Sequence, residues 1–140
     1  MQLCSNDGGL ARLASYCGPI WIDGAHNPGA AVALAAELAL WPRRPILVTG
    51  MLLSKDYRAM LAILKPHIES LIVVPVPRSS AGLPVQELAE AASQAGIEAT
   101  SADTLSDALA VFSERSNGQP VLIAGSLYLA GEALRLDQNG

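Results

Sequence analysis

The sequence predicts an α/β fold, a mostly parallel sheet with helices on both faces, and three observations carry that prediction. After the first turn, short β-branched runs alternate with helical patterns, the mark of successive βαβ units. The 140 residues are 51% apolar and only 16% charged, which excludes disorder and leaves enough interior for one core, so a single domain over residues 1–140 is expected. The run Asp23-Gly24-Ala25-His26-Asn27-Pro28 joins an apolar strand to an alanine-rich helix. In an open parallel sheet such a junction faces the crevice where ligands sit.

The strands expected are Ile20–Asp23, Ile46–Thr49, Leu71–Val74, Glu98–Ser101 and Val121–Ala124. Four of them are apolar runs bounded by turn residues. Glu98-Ala99-Thr100-Ser101 is barely apolar and is accepted because the flanking helices leave room for a strand there, as an edge.

Each helix offers apolar residues at i, i+3, i+4 and i+7. Ala31, Leu34, Ala35 and Leu38 form the first, with Asn27 and Pro28 fixing its start. Tyr57, Met60, Leu61 and Leu64 form the second, which begins near Ser54 to Asp56 and stops before Pro66. Val85, Leu88, Ala89 and Ala92 form the third, between Pro84 and a left-handed cap at Gly96. Leu105, Ala108, Leu109 and Phe112 form the fourth, with Thr104 and Asp107 at capping-box distance. Leu127, Ala130, Gly131 and Leu134 form the fifth, where Gly131 reads as a close approach of helix to sheet. Met1–Gly9 and Asp137–Gly140 are expected to fray.

Composition excludes several functions. A formal charge of −4 with two lysines gives no basic stripe for a nucleic acid. The apolar stretch Ala30 to Trp41 contains Glu37 and is shorter than the roughly 20 residues a bilayer needs. The start lacks the basic-then-apolar pattern of a signal peptide, so the cytoplasm is the expected location. Cys4 and Cys17 have no metal-type spacing and read as free thiols, and no metal site is expected. There is no phosphate-binding glycine loop ending in Lys-Ser or Lys-Thr, no Gly-x-Ser-x-Gly elbow, no His-Glu-x-x-His and no Gly-x-Gly-x-x-Gly after the first strand.

Four residues are candidates for chemistry. Asp23, at a strand end, has the place from which a carboxylate accepts hydrogen bonds from ribose hydroxyls, although it would equally cap its own turn. His26 shares that turn and is either a ligand-binding group or a solvated loop residue. Lys55 lies in the loop after the second strand, on the same sheet edge, as a ligand-facing or a merely solvated cation. Ser126 begins the last helix, where a capping hydroxyl and a carboxylate contact are compatible duties.

Taken together, Trp21–Pro28, Val48-Thr49-Gly50-Met51 with Lys55-Asp56, and Ile123–Glu132 resemble the C-terminal domain of folylpolyglutamate synthase/dihydrofolate synthase, in the Mur ligase superfamily. The resemblance covers about Leu10 to Leu136. It implies a three-layer Rossmann-like sheet of five to six strands whose one antiparallel strand falls in Leu10–Ser15. It also implies an ATP-dependent ligase: ATP phosphorylates a carboxylate of dihydropteroate or folate, and the amine of L-glutamate attacks the acyl phosphate to give an amide, ADP and phosphate. On that pattern Asp23 contacts the nucleotide ribose, and His26 lies near the phosphates or the incoming glutamate as the one candidate for a catalytic role. Lys55 and Ser126 hold the glutamate carboxylate. The family's Gly-Arg before the antiparallel strand is replaced by Gly8-Gly9-Leu10-Ala11-Arg12, which displaces the arginine. The phosphate loop, the magnesium ligands and most of the pterin site belong to domains that the resemblance does not cover. The chain is then incomplete for catalysis alone, with a separate phosphate-loop ligase domain as its partner. The other reading is a stand-alone Rossmann-like binding or interaction module without activity.

Overall fold

The computed structural model describes residues 1–4, 8–14, 18–53, 56–77, 79–114 and 118–138, the side chains of 12–14 and 113–114 aside. Six strands form one sheet: β1 (Gln2–Leu3), β2 (Ile20–Ile22), β3 (Ile46–Thr49), β4 (Ser70–Val73), β5 (Ala99–Ser101) and β6 (Val121–Ile123), in the spatial order β1-β2-β6-β3-β4-β5. The β1–β2 pair is antiparallel, and the other pairs are parallel. The helices are α1 (Gly9–Ala14), α2 (Pro28–Leu38), α3 (Tyr57–Leu64), α4 (Val85–Gln94), α5 (Leu105–Ala110) and α6 (Leu127–Gln138).

Strand β6 lies between β2 and β3, with Val121 and Leu122 opposite Ile20 and Trp21 on one side and Ile46 and Leu47 on the other. Its three residues are fully buried, as expected of a parallel strand covered on both faces. Side-chain alternation divides the core. Leu47, Leu71 and Leu122 pack under α2, α3 and α4. Ile20, Ile22, Ile46, Val48, Val121 and Ile123 pack on the other face with Leu10 of α1 and with α5 and α6.

The connections matter for the site. Strands β2 and β3 feed helices on one face, while β6 between them feeds α6 on the opposite face. The carboxyl ends on either side of β6 are therefore switch points, where diverging loops open a crevice.

Helix starts and stops follow local chemistry. Asn27 caps α2, its side-chain oxygen accepting from Ala30 N–H, with Pro28 as the first helical residue. Asp56 accepts from Ala59 N–H at α3, and Thr104 from Asp107 N–H at α5. Gly96 takes the expected left-handed conformation (φ 84°) after α4. The buried faces of α2 and α5 are those expected, and β5 is indeed an edge strand.

Two expectations are corrected. The antiparallel strand is Gln2–Leu3, whereas Leu10–Ser15 is helical as far as Ala14, residue 15 lying outside the described residues. The reason is burial: helical spacing seats Leu10 and Ala11 in the core, and Leu10 N–H reaches Asp137 Oδ1 at 3.4 Å. Gln2–Leu3 pair with β2, and Asp137 and Gln138 belong to α6. Second, α6 buries Leu129, Ala130 and Ala133, while Leu127 is exposed.

Gly131 is exposed, and a Cβ there would meet nothing within 4 Å, so no close approach to the sheet explains it. Gly131→Ala is therefore expected to stabilise the chain by about 0.5–1 kcal/mol, the helix-propensity difference. A rise in the urea midpoint at unchanged slope checks this.

Cys4 is buried and follows β1, its N–H donating to Ile20 O at 2.8 Å. Burial, and next the Asp137 carboxylate, push its thiol pKa up to about 12 from 9.0. Between those values the folded state holds a proton that the unfolded state has released, so this contribution is intact below pH 9 and is lost as pH rises toward 12. Wild type is expected to lose stability faster than Cys4→Ala above pH 9. Parallel midpoint-against-pH curves for the two would contradict this. Cys17 lies outside the described residues.

Candidate functional site

Three chain segments leave the sheet at the switch point. Asp23 N–H still donates to Ile123 O at 2.9 Å, so the first turn begins on the sheet beside β6. Asp23 Oδ1 accepts from Ala25 N–H at 2.8 Å, the local turn that aspartate favours. Its Oδ2 lies 3.4 Å from the Met1 α-amino nitrogen, and the carboxylate side chain is 20% exposed.

His26 Nδ1 lies 2.9 Å from Gly24 O. A carbonyl only accepts, so in the neutral imidazole Nδ1 carries the proton and Nε2 offers a lone pair. Among the described residues Nε2 has no hydrogen-bond partner.

At the end of β6, Gly125 N–H donates to Ala25 O at 2.9 Å, tying the α6 start to the aspartate turn. Gly125 has φ +119°, and an added Cβ would overlap Thr49 Oγ1 and sit 3.1 Å from Gly50 O. Ser126 is fully buried. Its Oγ accepts from Tyr128 N–H (3.1 Å) and Leu129 N–H (3.4 Å), the capping duty the sequence allowed.

The third segment follows β3. Ala124 N–H donates to Val48 O and Val74 N–H to Thr49 O, which fixes the loop's root beside β6. Gly50 is required there, since a Cβ would lie 2.5 Å from Val74 O. Thr49 Oγ1 is buried and unpartnered among the described residues. Lys55 lies outside the described residues, as does Ser54. Arg12 is in α1, and its side chain is not among those described.

The structure thus brings the Asp23–His26 turn and Ser126 to one rim, with the Lys55 loop rooted on the neighbouring strand. A cavity of about 380 Å³ opens beside Asp23, within the size range of small-molecule sites. Trp21, His26 and a face of α2 carrying Ala30, Ala33 and Glu37 line it with Asp23. Sequence reasoning singled out Asp23 and His26 but missed Trp21, Ala33 and Glu37. The spacing of Ala30, Ala33, Leu34 and Glu37 at i, i+3, i+4 and i+7 was the available signal.

Chemically the rim offers an acceptor carboxylate, an imidazole lone pair and the amino ends of α2 and α6, where partial positive charge favours anions. Among the described residues no group of three His, Cys, Asp or Glu side chains gathers to hold a metal ion. The engaged Asp23 oxygens do not fit a magnesium site of their own. No helix among the described residues is long and apolar enough to cross a membrane.

Comparison with known proteins gives a consistent match. The family model described as Mur ligase, glutamate ligase domain, matches residues 11–127. Folylpolyglutamate synthase of Lacticaseibacillus casei is 38% identical over 112 residues, 79% of this chain and 25% of the relative. Among solved structures, Mycobacterium tuberculosis folylpolyglutamate synthase complexed with ADP and AMPPCP superposes with a TM-score of 0.74 at 32% identity, covering 84% of this chain and 29% of that one. Folylpolyglutamate synthase of Thermotoga maritima gives 0.73 at 25% identity, over 86% and 28%. The chain therefore spans about a quarter of the curated relative's length.

Proposed function

Because the chain belongs to the glutamate ligase domain family of the Mur ligases, we propose that it serves as the glutamate- and nucleotide-contacting C-terminal domain of an ATP-dependent folate amide ligase. In this reading L-glutamate is added to dihydropteroate or folate through an acyl phosphate. Asp23 accepts hydrogen bonds from the ribose hydroxyls of ATP. His26 stands near the phosphates or the incoming glutamate. Lys55 pairs with the glutamate carboxylate at the amino end of α6, which the buried Ser126 hydroxyl holds in place. Charge-assisted contacts of this kind contribute roughly 1–3 kcal/mol each.

The observation that carries the reading is the Asp23–His26 turn opening on a cavity, tied by a 2.9 Å hydrogen bond to the loop that starts α6. The phosphate loop lies outside this chain, since the sequence has no such motif. The chain orients two substrates and excludes water from them, while phosphoryl transfer takes place on a partner domain.

Purified chain is accordingly expected to show no ATP-dependent addition of glutamate to dihydropteroate or folate on its own. Turnover by the pure chain, followed as ADP release with amide product, would overturn its assignment as an incomplete unit.

A further inference from the structure

We infer that the cavity at the carboxyl ends of β4 and β5 is a binding site for a small organic ammonium ion, whose apolar body lies inside and whose charged nitrogen stays at the mouth beside Asp103. The inference does not depend on the nucleotide and glutamate reading. Strand β4 feeds α4 on the face that α2 and α3 cover, whereas its neighbour β5 feeds α5 on the opposite face. Diverging connections make this end of the pair a further switch point, the place where open parallel sheets hold ligands. The strands stay together to their ends, Ala102 N–H donating to Val73 O at 2.9 Å. The connection to α4 is then drawn toward β3: Leu53 N–H donates to Ala81 O and Leu83 N–H to Met51 O, each at 2.8 Å. That course leaves the α5 side uncovered, and a cavity of about 230 Å³ opens between Pro75, Pro77, the start of α5 and one stripe of α6.

The lining sets the polarity of the ligand. Leu105 and Leu129 line the cavity yet are buried, so they form its inner end, with Pro75, Pro77 and Leu136 as further apolar wall. Asp103 lines it too but is exposed, which puts this residue at the mouth. No described lining residue is cationic, so an anion finds no partner there. Thr104 Oγ1 is engaged by Asp107 N–H, and the Glu132 carboxylate by Arg135. Among the described residues Asp103 has no ionic partner. An ionised carboxylate only accepts hydrogen bonds and an ammonium only donates them, so Asp103 selects that head group. The volume lies below the roughly 300 Å³ of ordinary ligand pockets, which excludes a nucleotide or a folate and leaves room for a body the size of one apolar side chain. The order of polarity also decides the source. A lysine side chain on a polypeptide enters charge first and would desolvate its ammonium against Leu105 and Leu129, whereas a free amine enters tail first and keeps the charge wet.

The test follows the backbone amide spectrum of the isotope-labelled whole chain at neutral pH. Pentylammonium is expected to move the amides of Leu105, Ser106, Leu129 and Glu132 with a dissociation constant of about 1 mM, the range open to so small a ligand. Pentanol, which lacks the charge, and methylammonium, which lacks the tail, are each expected to bind about tenfold or more weakly. N-acetyl-lysine methylamide, the polypeptide source, is expected to do no better than methylammonium. In Asp103→Asn, at an exposed position outside any helix, pentylammonium is expected to come within about twofold of pentanol, with amides away from the cavity unmoved. If pentanol matches pentylammonium on wild type, or the preference survives in Asp103→Asn, selection by the carboxylate is wrong. If the lysine probe binds as tightly as pentylammonium, tail-first entry is wrong. If no probe moves these amides at about tenfold above the expected constant, the cavity is not a site for this class of ligand.

Discussion

Gly125→Ala is expected to destabilise the chain by about 3–5 kcal/mol, the sum of a strained backbone and an overpacked contact. The residue has φ +119°, a region that L side chains rarely adopt, so the first part of the cost is independent of space. The second part comes from Thr49 Oγ1, which a new Cβ would overlap, with Gly50 O and Met51 Cγ behind it. Neither neighbour gives way easily, because Thr49 belongs to β3 between β6 and β4 and Gly50 is held against Val74 O. Relief by rotating Gly125 would break its 2.9 Å hydrogen bond to Ala25 O and loosen the Asp23 turn as well. Equilibrium urea unfolding measures the loss, and a variant within about 0.5 kcal/mol of wild type would refute the account. Thr49→Ala in the Gly125→Ala background removes the overlapping atom and is expected to recover about 1–3 kcal/mol, leaving the φ strain.

That glycine also shows how legible the fold was. Its position after a strand and before a serine-capped helix could be read from the sequence, whereas its contact with Thr49 depends on β6 lying beside β3, which strand order in the chain does not reveal. The α2 face was legible residue by residue because Asn27 and Pro28 fix the start and the 3.6-residue period then fixes the phase. Helix α6 lacks that clarity. Its sequence contains two overlapping series, Leu127-Ala130-Gly131-Leu134 and Leu129-Ala130-Ala133, and the second wins because it seats three residues in the core under the sheet. Strand β1 gave no signal at all: Gln2 and Leu3 are both exposed, so no apolar alternation marks them, and backbone pairing to β2 holds them.

The site divides in the same way. Asp23, His26 and Ser126 were visible because each stands at a strand-to-helix junction, where geometry is dictated by neighbours in sequence. The cavity was not, since Trp21 on a strand and Ala33 and Glu37 on a helix meet only after packing. An alanine stripe reads as core until a structure leaves one side of it uncovered. Ser126 itself is fully buried, and its hydroxyl is spent on two helix N–H groups. Its effect on a ligand therefore runs through the position of α6, and Ser126→Ala carries a stability loss of about 1 kcal/mol along with any change in affinity.

In a ligase completed by a phosphate-loop domain, Asp23→Ala is expected to raise the Michaelis constant for ATP about tenfold or more and to leave that for glutamate within about threefold, while Lys55→Ala does the reverse. The asymmetry follows from position. The Asp23 carboxylate lines the cavity at the end of β2, one oxygen engaged by Ala25 N–H and the other 3.4 Å from the Met1 nitrogen. Loss of one or two hydrogen bonds to a charged acceptor at this partly exposed place is worth about a factor of ten. Lys55 belongs to the loop rooted on β3, on the far side of β6 from Asp23. Strands lie about 4.8 Å apart, so the roots of the two loops are separated by roughly 10 Å. Removing the only cation of that loop takes away a charge-assisted contact to the glutamate carboxylate, and a serine-capped helix end alone supplies the weaker remainder. Steady-state kinetics with each substrate varied at saturation of the others separates the two effects. If both variants moved both constants alike, the rim would be acting through domain closure as a whole, and the assignment of separate nucleotide and glutamate contacts would fail.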